Sequence, residues 1–503
     1  MPFNSIFSWL IGKRMARLNE CRENPFASQL SVFKYLISEG KATEFGNKNQ
    51  FNSISSYADY SNIVPLQEYG TLKHLIDRSI DGEENLLWPR KTNWFAKSSG
   101  TTADRVKILP VTSNSLFNNH YAGGKDLLAQ YYSNLPNREL FNAKHLIVGG
   151  SGETQTKENG IFVGDLSAII VNNLPWWTEW RRAPKKEIAL QSDWEKKLNE
   201  MARATIQENI CILAGVPSWT LLLLKRVLEI SGKKTISEVW PNLELYIHGG
   251  MNFGPYQQQF DALIGNSEMN YVESYNSSEG YFGLQDQLDT KDLLLLTNSE
   301  VFYEFIPMTD FDGINSKTVV SLEEVKTDVD YALVISTSAG LWRYIIGDTI
   351  RFSSIQPFRF RVTGRTSHFI NGFGEKMIVD HTEKAISEAC SITNSAIVEY
   401  TVAPYFNLQN SNGGHEWIIE FAKEPENVEN FKVALDEALK KFNSDYDVKR
   451  YQNLNIDFPR YHFVKTGTFH RWLKSKNKLG GQHKVPRLLN NREILEQILL
   501  NND

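Results

Sequence analysis

The chain has 503 residues, too many for one ordinary core, so two or more domains are expected. Its 41% hydrophobic and 22% charged residues are ordinary for a soluble globular protein. With 54 Lys and Arg against 59 Asp and Glu, a net charge of −5 excludes a general pull toward nucleic acid or an anionic membrane, and any bound anion must be held by a local site.

Residues 1–45 read as helices. The apolar run at 6–11 is followed, not preceded, by Lys13 and Arg14, the wrong order for a secretory signal. It reads as an amphipathic helix packed on the body, with membrane contact as the other reading. Leu30, Phe33, Leu36 and Ile37 recur at helical spacing. Helix cues follow at 64–66 and 72–76. Strands at 94–96, 145–148, 210–214, 243–247 and 270–273 then alternate with helices at 192–207, 219–230 and 255–263, and Ser192 is placed to cap the first of these helices. The alternation predicts an α/β architecture with parallel strands. The run at 221–224 is far too short to span a bilayer.

From about residue 293 the pattern changes. Runs at 301–306, 331–336, 342–345 and 358–362 are closely spaced and predict an antiparallel sheet or a β-barrel-like subdomain. A hinge is expected near Gly364. Beyond it, strands at 396–404 and 417–421, a helix at 428–442 and a helical tail form a separate α+β domain. The expected boundaries are 1–363 and 364–503. Cys21, Cys211 and Cys390 are far apart and include no Cys-x-x-Cys pair, so they read as inert thiols of a cytoplasmic protein rather than a disulfide framework or zinc knuckle.

Five motifs carry candidate chemistry. Lys97-Ser98-Ser99-Gly100-Thr101-Thr102 follows a strand, with Lys107 and Pro110 downstream. Four hydroxyls around a glycine can wrap phosphate oxygens, although such a turn is also an ordinary loop. It is not a Walker loop, and Gly123-Gly124-Lys125 lacks the leading glycine. Tyr275-Asn276-Ser277-Ser278-Glu279-Gly280 offers a ring for a base and a carboxylate for Mg²⁺, or is a strand-end turn. In Trp342-Arg343-Tyr344-Ile345-Ile346-Gly347-Asp348 the Asp can accept from a ribose diol, or close a turn. Gly364-Arg365 is followed by Gly374-Glu375-Lys376. Near the end, Gly480-Gly481-Gln482-His483-Lys484-Val485-Pro486-Arg487 holds a lysine on a glycine-flanked loop, where it can act as a point charge or be simply solvated.

The order and spacing of these elements resemble the adenylate-forming superfamily of acyl-CoA synthetases, luciferases and peptide-synthetase adenylation domains. More closely, the chain is similar to the auxin-responsive acyl-acid amido synthetases of plants, the Gretchen Hagen family, and their bacterial relatives. That resemblance lies in Ser98 to Thr102 with Lys107-Ile108-Leu109-Pro110-Val111-Thr112, in Val148-Gly149-Gly150-Ser151 and in Gly215-Val216-Pro217-Ser218-Trp219. It continues in Tyr275 to Gly283, Tyr303-Glu304-Phe305-Ile306-Pro307, Arg343-Tyr344, Gly347-Asp348 and Lys484-Val485-Pro486-Arg487.

The resemblance implies a large adenylate-forming domain of parallel and mixed sheets and a smaller mobile α+β domain. It implies a reaction in two steps: ATP and a carboxylic acid give an acyl-adenylate and pyrophosphate, and an amino acid then displaces AMP. It assigns Ser98, Ser99, Gly100, Thr101 and Thr102 to the phosphates, Gly249, Gly250, Tyr275 and Ser278 to the adenine side, and Glu279 to Mg²⁺. Asp348 falls to the ribose, Arg365 to the nucleotide, and Lys376 and Lys484 to catalysis. The implied partners are small acids and amino acids, with no nucleic acid or stable membrane association, and a monomer is expected. Residues 113–128, where the family's acyl pocket begins, match poorly, so the plant hormone substrates do not carry over.

Two other readings stay open at this stage: a thioester ligase using CoA, and a non-catalytic nucleotide-binding relative. Other catalytic classes lack their signatures. There is no Gly-x-Ser-x-Gly elbow and no His-Glu-x-x-His, and His120, His248, His368 and His470 show no ligand spacing. Trp176, Trp177 and Trp180 read either as surface near a pocket or as core. No base for the amine is legible.

Overall fold

The computed structural model describes residues 2–98, 107–136, 140, 143–149, 155–191, 193–250, 253–366, 369–370, 375, 377–406, 413–443, 446–447, 450, 456–476, 485–489 and 492–502. Contacts divide the chain into two units: 1–251 with 259–346 and 350–362, and 252–258 with 347–349 and 363–503.

The first unit is built on a twelve-stranded sheet. From one edge its strands are Val320–Ser321, Val301–Pro307, Asp330–Thr337, Tyr344–Ile355, Phe358–Arg365, Leu293–Leu295, Gly280–Gln285, Asn270–Ser277, Leu245–Gly249, Ile210–Gly215, Lys144–Val148 and Arg182–Ala183. The last five pair in parallel. Asn270–Ser277 also pairs antiparallel with Gly280–Gln285, and there the sheet changes character. The closely spaced strands expected after residue 293 are therefore a second wing of the same sheet. This unit also holds a four-stranded sheet, in the order Lys107–Val111, Trp94–Ser98, Phe162–Asp165 and Gln155–Thr156.

The sequence explains the parallel wing. Parallel strands are covered on both faces and read as continuous apolar runs, as in Ile210-Cys211-Ile212-Leu213, all buried. Crossover helices carry their own start and stop signals. Helix Pro217–Ser231 opens on a proline and ends at Gly232 in the left-handed region. Helix Trp194–Thr205 is capped by Asp193, whose carboxylate accepts from the Lys196 amide at 3.0 Å. The cap is thus Asp193 and not Ser192, which lies outside the described residues.

Two N-terminal helices also pack on this sheet. In Pro25–Gly40 the buried stripe is Gln29, Val32, Phe33, Leu36, Ile37 and Gly40. Leu30 belongs to the expected set but is exposed, because it sits about 100° around the helix from Gln29. Gln29 spends its whole amide on the sheet: Nε2 donates to Thr297 O and Val301 O, and Oε1 accepts from Tyr303 N. In Pro2–Glu23, Leu18 and Cys21 are buried, and Arg14 and Arg17 reach the buried Asp126 carboxylate at 2.7 and 3.4 Å.

The second unit holds a three-stranded sheet, Ala396–Phe406, Gly413–Lys423 and Arg460–Val464. Strand alternation sorts its two cores. Trp417, Ile419 and Phe421 join a core with helices Val379–Thr393 and Val428–Phe442. Ile418 faces the other way, among Phe469 and Trp472 of Thr468–Ser475 and Leu495 and Ile498 of Glu493–Leu499.

Candidate functional site

In an open parallel sheet, ligands gather at the carboxyl ends of the strands. The parallel wing places there, side by side, most of the motifs that lie within the first unit. Val148 pairs with Gly215, Gly215 with His248, and Gly249 with Ser274. Val148-Gly149, Gly215-Val216-Pro217, Gly249-Gly250 and the Tyr275–Gly280 turn therefore share one edge. The glycine pair is required by geometry. A Cβ on Gly249 would lie 2.2 Å from the Ser274 carbonyl oxygen, and Gly250 has φ +75°.

The Tyr275–Gly280 motif is a tight hairpin, with Ser277 facing Gly280 across Ser278 and Glu279. A carboxylate at a hairpin tip is normally solvated, yet Glu279 is only 7% exposed and Ser278 6%. The Glu279 amide donates to Ser277 Oγ at 3.2 Å. Tyr275 lies further in, its ring 5.0 Å from that of Phe282 and 6.0 Å from that of Phe360. Of the hydroxyl loop, Ser98 ends strand Trp94–Ser98 opposite Lys107. Ser99, Gly100, Thr101 and Thr102 lie outside the described residues.

One feature of this edge was not legible in the sequence. Residues Ser115–His120 form a π-helical turn, a form that recurs at functional sites. Its Asn119 clamps the hairpin, donating to Tyr281 O and Ser299 O and accepting from Tyr281 N.

In the second unit the structure joins two predicted residues. Asp348 Oδ1 and Arg365 Nε are 3.1 Å apart, and the Thr366 amide donates to Gly347 O at 2.8 Å. Asp348 is buried and Gly347 has φ +95° within strand Tyr344–Ile355, so the Gly-Asp step is a kink inside a strand rather than the turn the sequence also allowed. Glu375 is fully buried against His415, with Oε1 and Nε2 2.9 Å apart. Lys376, Lys484 and His368 lie outside the described residues.

Arg343 and Glu304, each inside a motif, turn out to be partners. The guanidinium meets the carboxylate from Nε and Nη2 at 2.8–3.1 Å, and Nη1 donates to Ser61 O and Val64 O. Glu304 is fully buried and Arg343 nearly so. Arg343 adopts φ +42°, rare for a side-chain-bearing residue, and this network holds it there. Trp176 and Trp180 pack edge to face on each other and are about three-quarters exposed. Among the described residues no cluster of acidic, His or Cys side chains forms a metal cage, and no helix is long and apolar enough to cross a membrane.

Family models match the chain along most of its length: the GH3 family N-terminal domain over residues 14–269, the central domain over 294–365 and the C-terminal domain over 380–493. Indole-3-acetic acid-amido synthetase GH3.3 of Arabidopsis thaliana is 21% identical, covering 96% of this chain and 93% of that one. The 4-substituted benzoates-glutamate ligase GH3.12 of the same plant is 24% identical, covering 95% and 96%. Among solved structures, the AtGH3.15 acyl acid amido synthetase in complex with 2,4-DB shares the fold, with a TM-score of 0.80 at 18% identity over 98% of this chain and 96% of that one. A 2-hydroxyisobutyryl-CoA ligase in the postadenylation state shares it more loosely, with a TM-score of 0.60 at 9% identity over 96% and 94%. The chain belongs to the GH3 family of acyl-acid amido synthetases, adenylate-forming ligases that use ATP to join a carboxylic acid to an amino acid.

Proposed function

We propose that this chain activates a small carboxylic acid as its acyl-adenylate, releasing pyrophosphate, and then transfers the acyl group to an amino acid, releasing AMP. One observation carries the reading: glycine and hydroxyl turns line the carboxyl ends of adjacent parallel strands, and one of them holds the buried carboxylate of Glu279. In the first step a carboxylate attacks the α-phosphate, so two anions must meet. Backbone amides and hydroxyls of the loop from Ser98 to Thr102 receive phosphate oxygens in this reading. Gly249, Gly250, Tyr275 and Ser278 border the adenine, Asp348 accepts from the ribose hydroxyls, and Arg365 orients Asp348.

The donors at the hairpin fit Mg²⁺, which takes one or two carboxylates and completes its shell with substrate phosphate and water. Glu279 is such a hard oxygen donor. Bound there, the ion supplies charge neutralisation for the phosphates. Lys484 adds a second positive charge during adenylation, and Lys376 is the further catalytic lysine. We place the adenylation domain at 1–363 and the smaller domain at 364–503, and take the protein to be a monomer and, with its free cysteines, cytoplasmic.

The test is ATP–pyrophosphate exchange with a panel of aryl-alkanoic acids, 4-substituted benzoates and straight-chain acids, followed by product analysis with amino acids and with CoA. Acid-dependent exchange that falls about 10²-fold or more in Lys484→Ala, with an amide as product, is expected. A thioester product, or ATP binding without exchange, would overturn the reading.

A further inference from the structure

An amine that attacks an acyl carbon becomes cationic as the C–N bond forms, and an amide results only when that nitrogen gives up a proton. The groups assigned above do not supply an acceptor, since Glu279 is committed to the metal and the lysines to phosphate charge.

His120 has the required arrangement. It closes the π-helical turn Ser115–His120, and the helix that follows packs hard on the hairpin: a Cβ on Gly123 would strike the Tyr281 ring at 2.4 Å. Asn119 fastens the same turn to Tyr281 and Ser299. His120 Nδ1 lies 2.9 Å from Asn276 Oδ1, one residue from Tyr275 and three from Glu279. An amide oxygen only accepts, so Nδ1 carries the proton and Nε2 the lone pair. Nε2 makes no hydrogen bond among the described residues. Burial holds the imidazole down at about 4, and the hydrogen bond to Asn276 offsets only part of that, so the ring is neutral at neutral pH. His120 is thus a neutral, oriented histidine buried beside Asn276 in the motif that carries Glu279.

We propose that His120 is the proton acceptor of the amide-forming step. The amine lone pair forms the C–N bond, and the proton that nitrogen sheds goes to Nε2. The acyl carbon–oxygen bond to phosphate breaks, and its electron pair leaves with AMP. The proton then passes from Nε2 to solvent. Asn276 is a positioning residue that fixes the tautomer. This inference rests on the amide-ligase reading above.

The test separates the two half-reactions in the full chain. The acid that supports exchange in the wild type is used, with the twenty standard amino acids as amines. In His120→Ala and His120→Gln, pyrophosphate exchange is expected within about threefold of wild type, which also shows that the variants fold. The turnover rate of amide formation is expected to fall about 10²-fold or more, the scale of a lost general base, with little change in KM for the amine. The deficit should shrink as pH rises and hydroxide substitutes for the missing base. An equal loss of both half-reactions in His120→Gln, or unchanged amide formation, overturns the proposal while the ligase reading stands. A wild type that exchanges with no acid of the panel overturns both.

Discussion

The two wings of the large sheet carry family motifs alike, but they use their polar residues in opposite ways. The parallel wing ends in turns of glycine, serine and glutamate at one edge, the edge proposed above to hold the nucleotide. The antiparallel wing, Asp348 and Arg365 apart, pairs charged residues internally: Arg343 on Glu304, Arg351 on Asp330 at 2.6 Å and Arg359 on Asp286 at 2.9 Å. A motif residue can therefore mark chemistry or scaffold.

Breaking the scaffold side should produce the largest effect on folding. Arg343→Ala leaves Glu304 buried without its counter-charge and is expected to cost about 3–5 kcal/mol in urea denaturation. If it instead leaves stability within about 0.5 kcal/mol and abolishes exchange, Arg343 belongs with the ligand side and the distinction between wings fails.

The second unit extends the comparison to pH. Burial disfavours the Asp436 carboxylate, but hydrogen bonds from Arg450 and Tyr446 and the Arg450 charge outweigh it, so its folded pKa lies below the ordinary value. Its contribution is therefore present above about pH 4 and is lost as pH falls through the folded value. Asp436→Asn is expected to destabilise by about 1.5–3 kcal/mol at neutral pH and to flatten the acid limb of a melting curve. A variant that melts in parallel with wild type from pH 7 down to about pH 3 would contradict this.

The smallest effect sharpens the local account. Asp193→Ala removes the cap of helix Trp194–Thr205 and should cost about 1 kcal/mol, whereas loss of the Lys196 to Glu200 contact on its exposed face should be near zero. Equal effects of the two substitutions, read from denaturation midpoints, would remove the capping argument.

The sequence revealed what is written in local pattern. Apolar runs such as 210–214 located the parallel strands, and helix Val428–Phe442 agrees with its observed ends because its amphipathic stripe starts at Asn427, whose side chain caps it. Gly249-Gly250 was marked by the family resemblance, and the close approach at Gly249 and the positive φ at Gly250 and at Gly347 show why glycine stands there. Contacts that depend on register were not legible. Glu304 and Arg343 stand 39 residues apart, and Gln29 meets Val301 and Tyr303 only because a helix lies across that strand. His120 and Asn276 are 156 residues apart, and nothing in either neighbourhood signals the pairing. Leu30 shares the helical spacing of Phe33, Leu36 and Ile37 but is exposed, while the buried stripe runs through a glutamine.

The central claim is that the carboxyl edge of the parallel wing performs adenylation while the antiparallel wing, Asp348 and Arg365 apart, holds it in shape. It is tested most directly by measuring acid-dependent pyrophosphate exchange and urea midpoint on the same preparations of wild type and Glu279→Gln. The account expects wild type to exchange only when an acid is present, and Glu279→Gln to lose about 10²-fold or more of that exchange at an unchanged midpoint. Undiminished exchange in Glu279→Gln, or a collapse of the midpoint that accounts for the lost activity, would place Glu279 with the scaffold and contradict it.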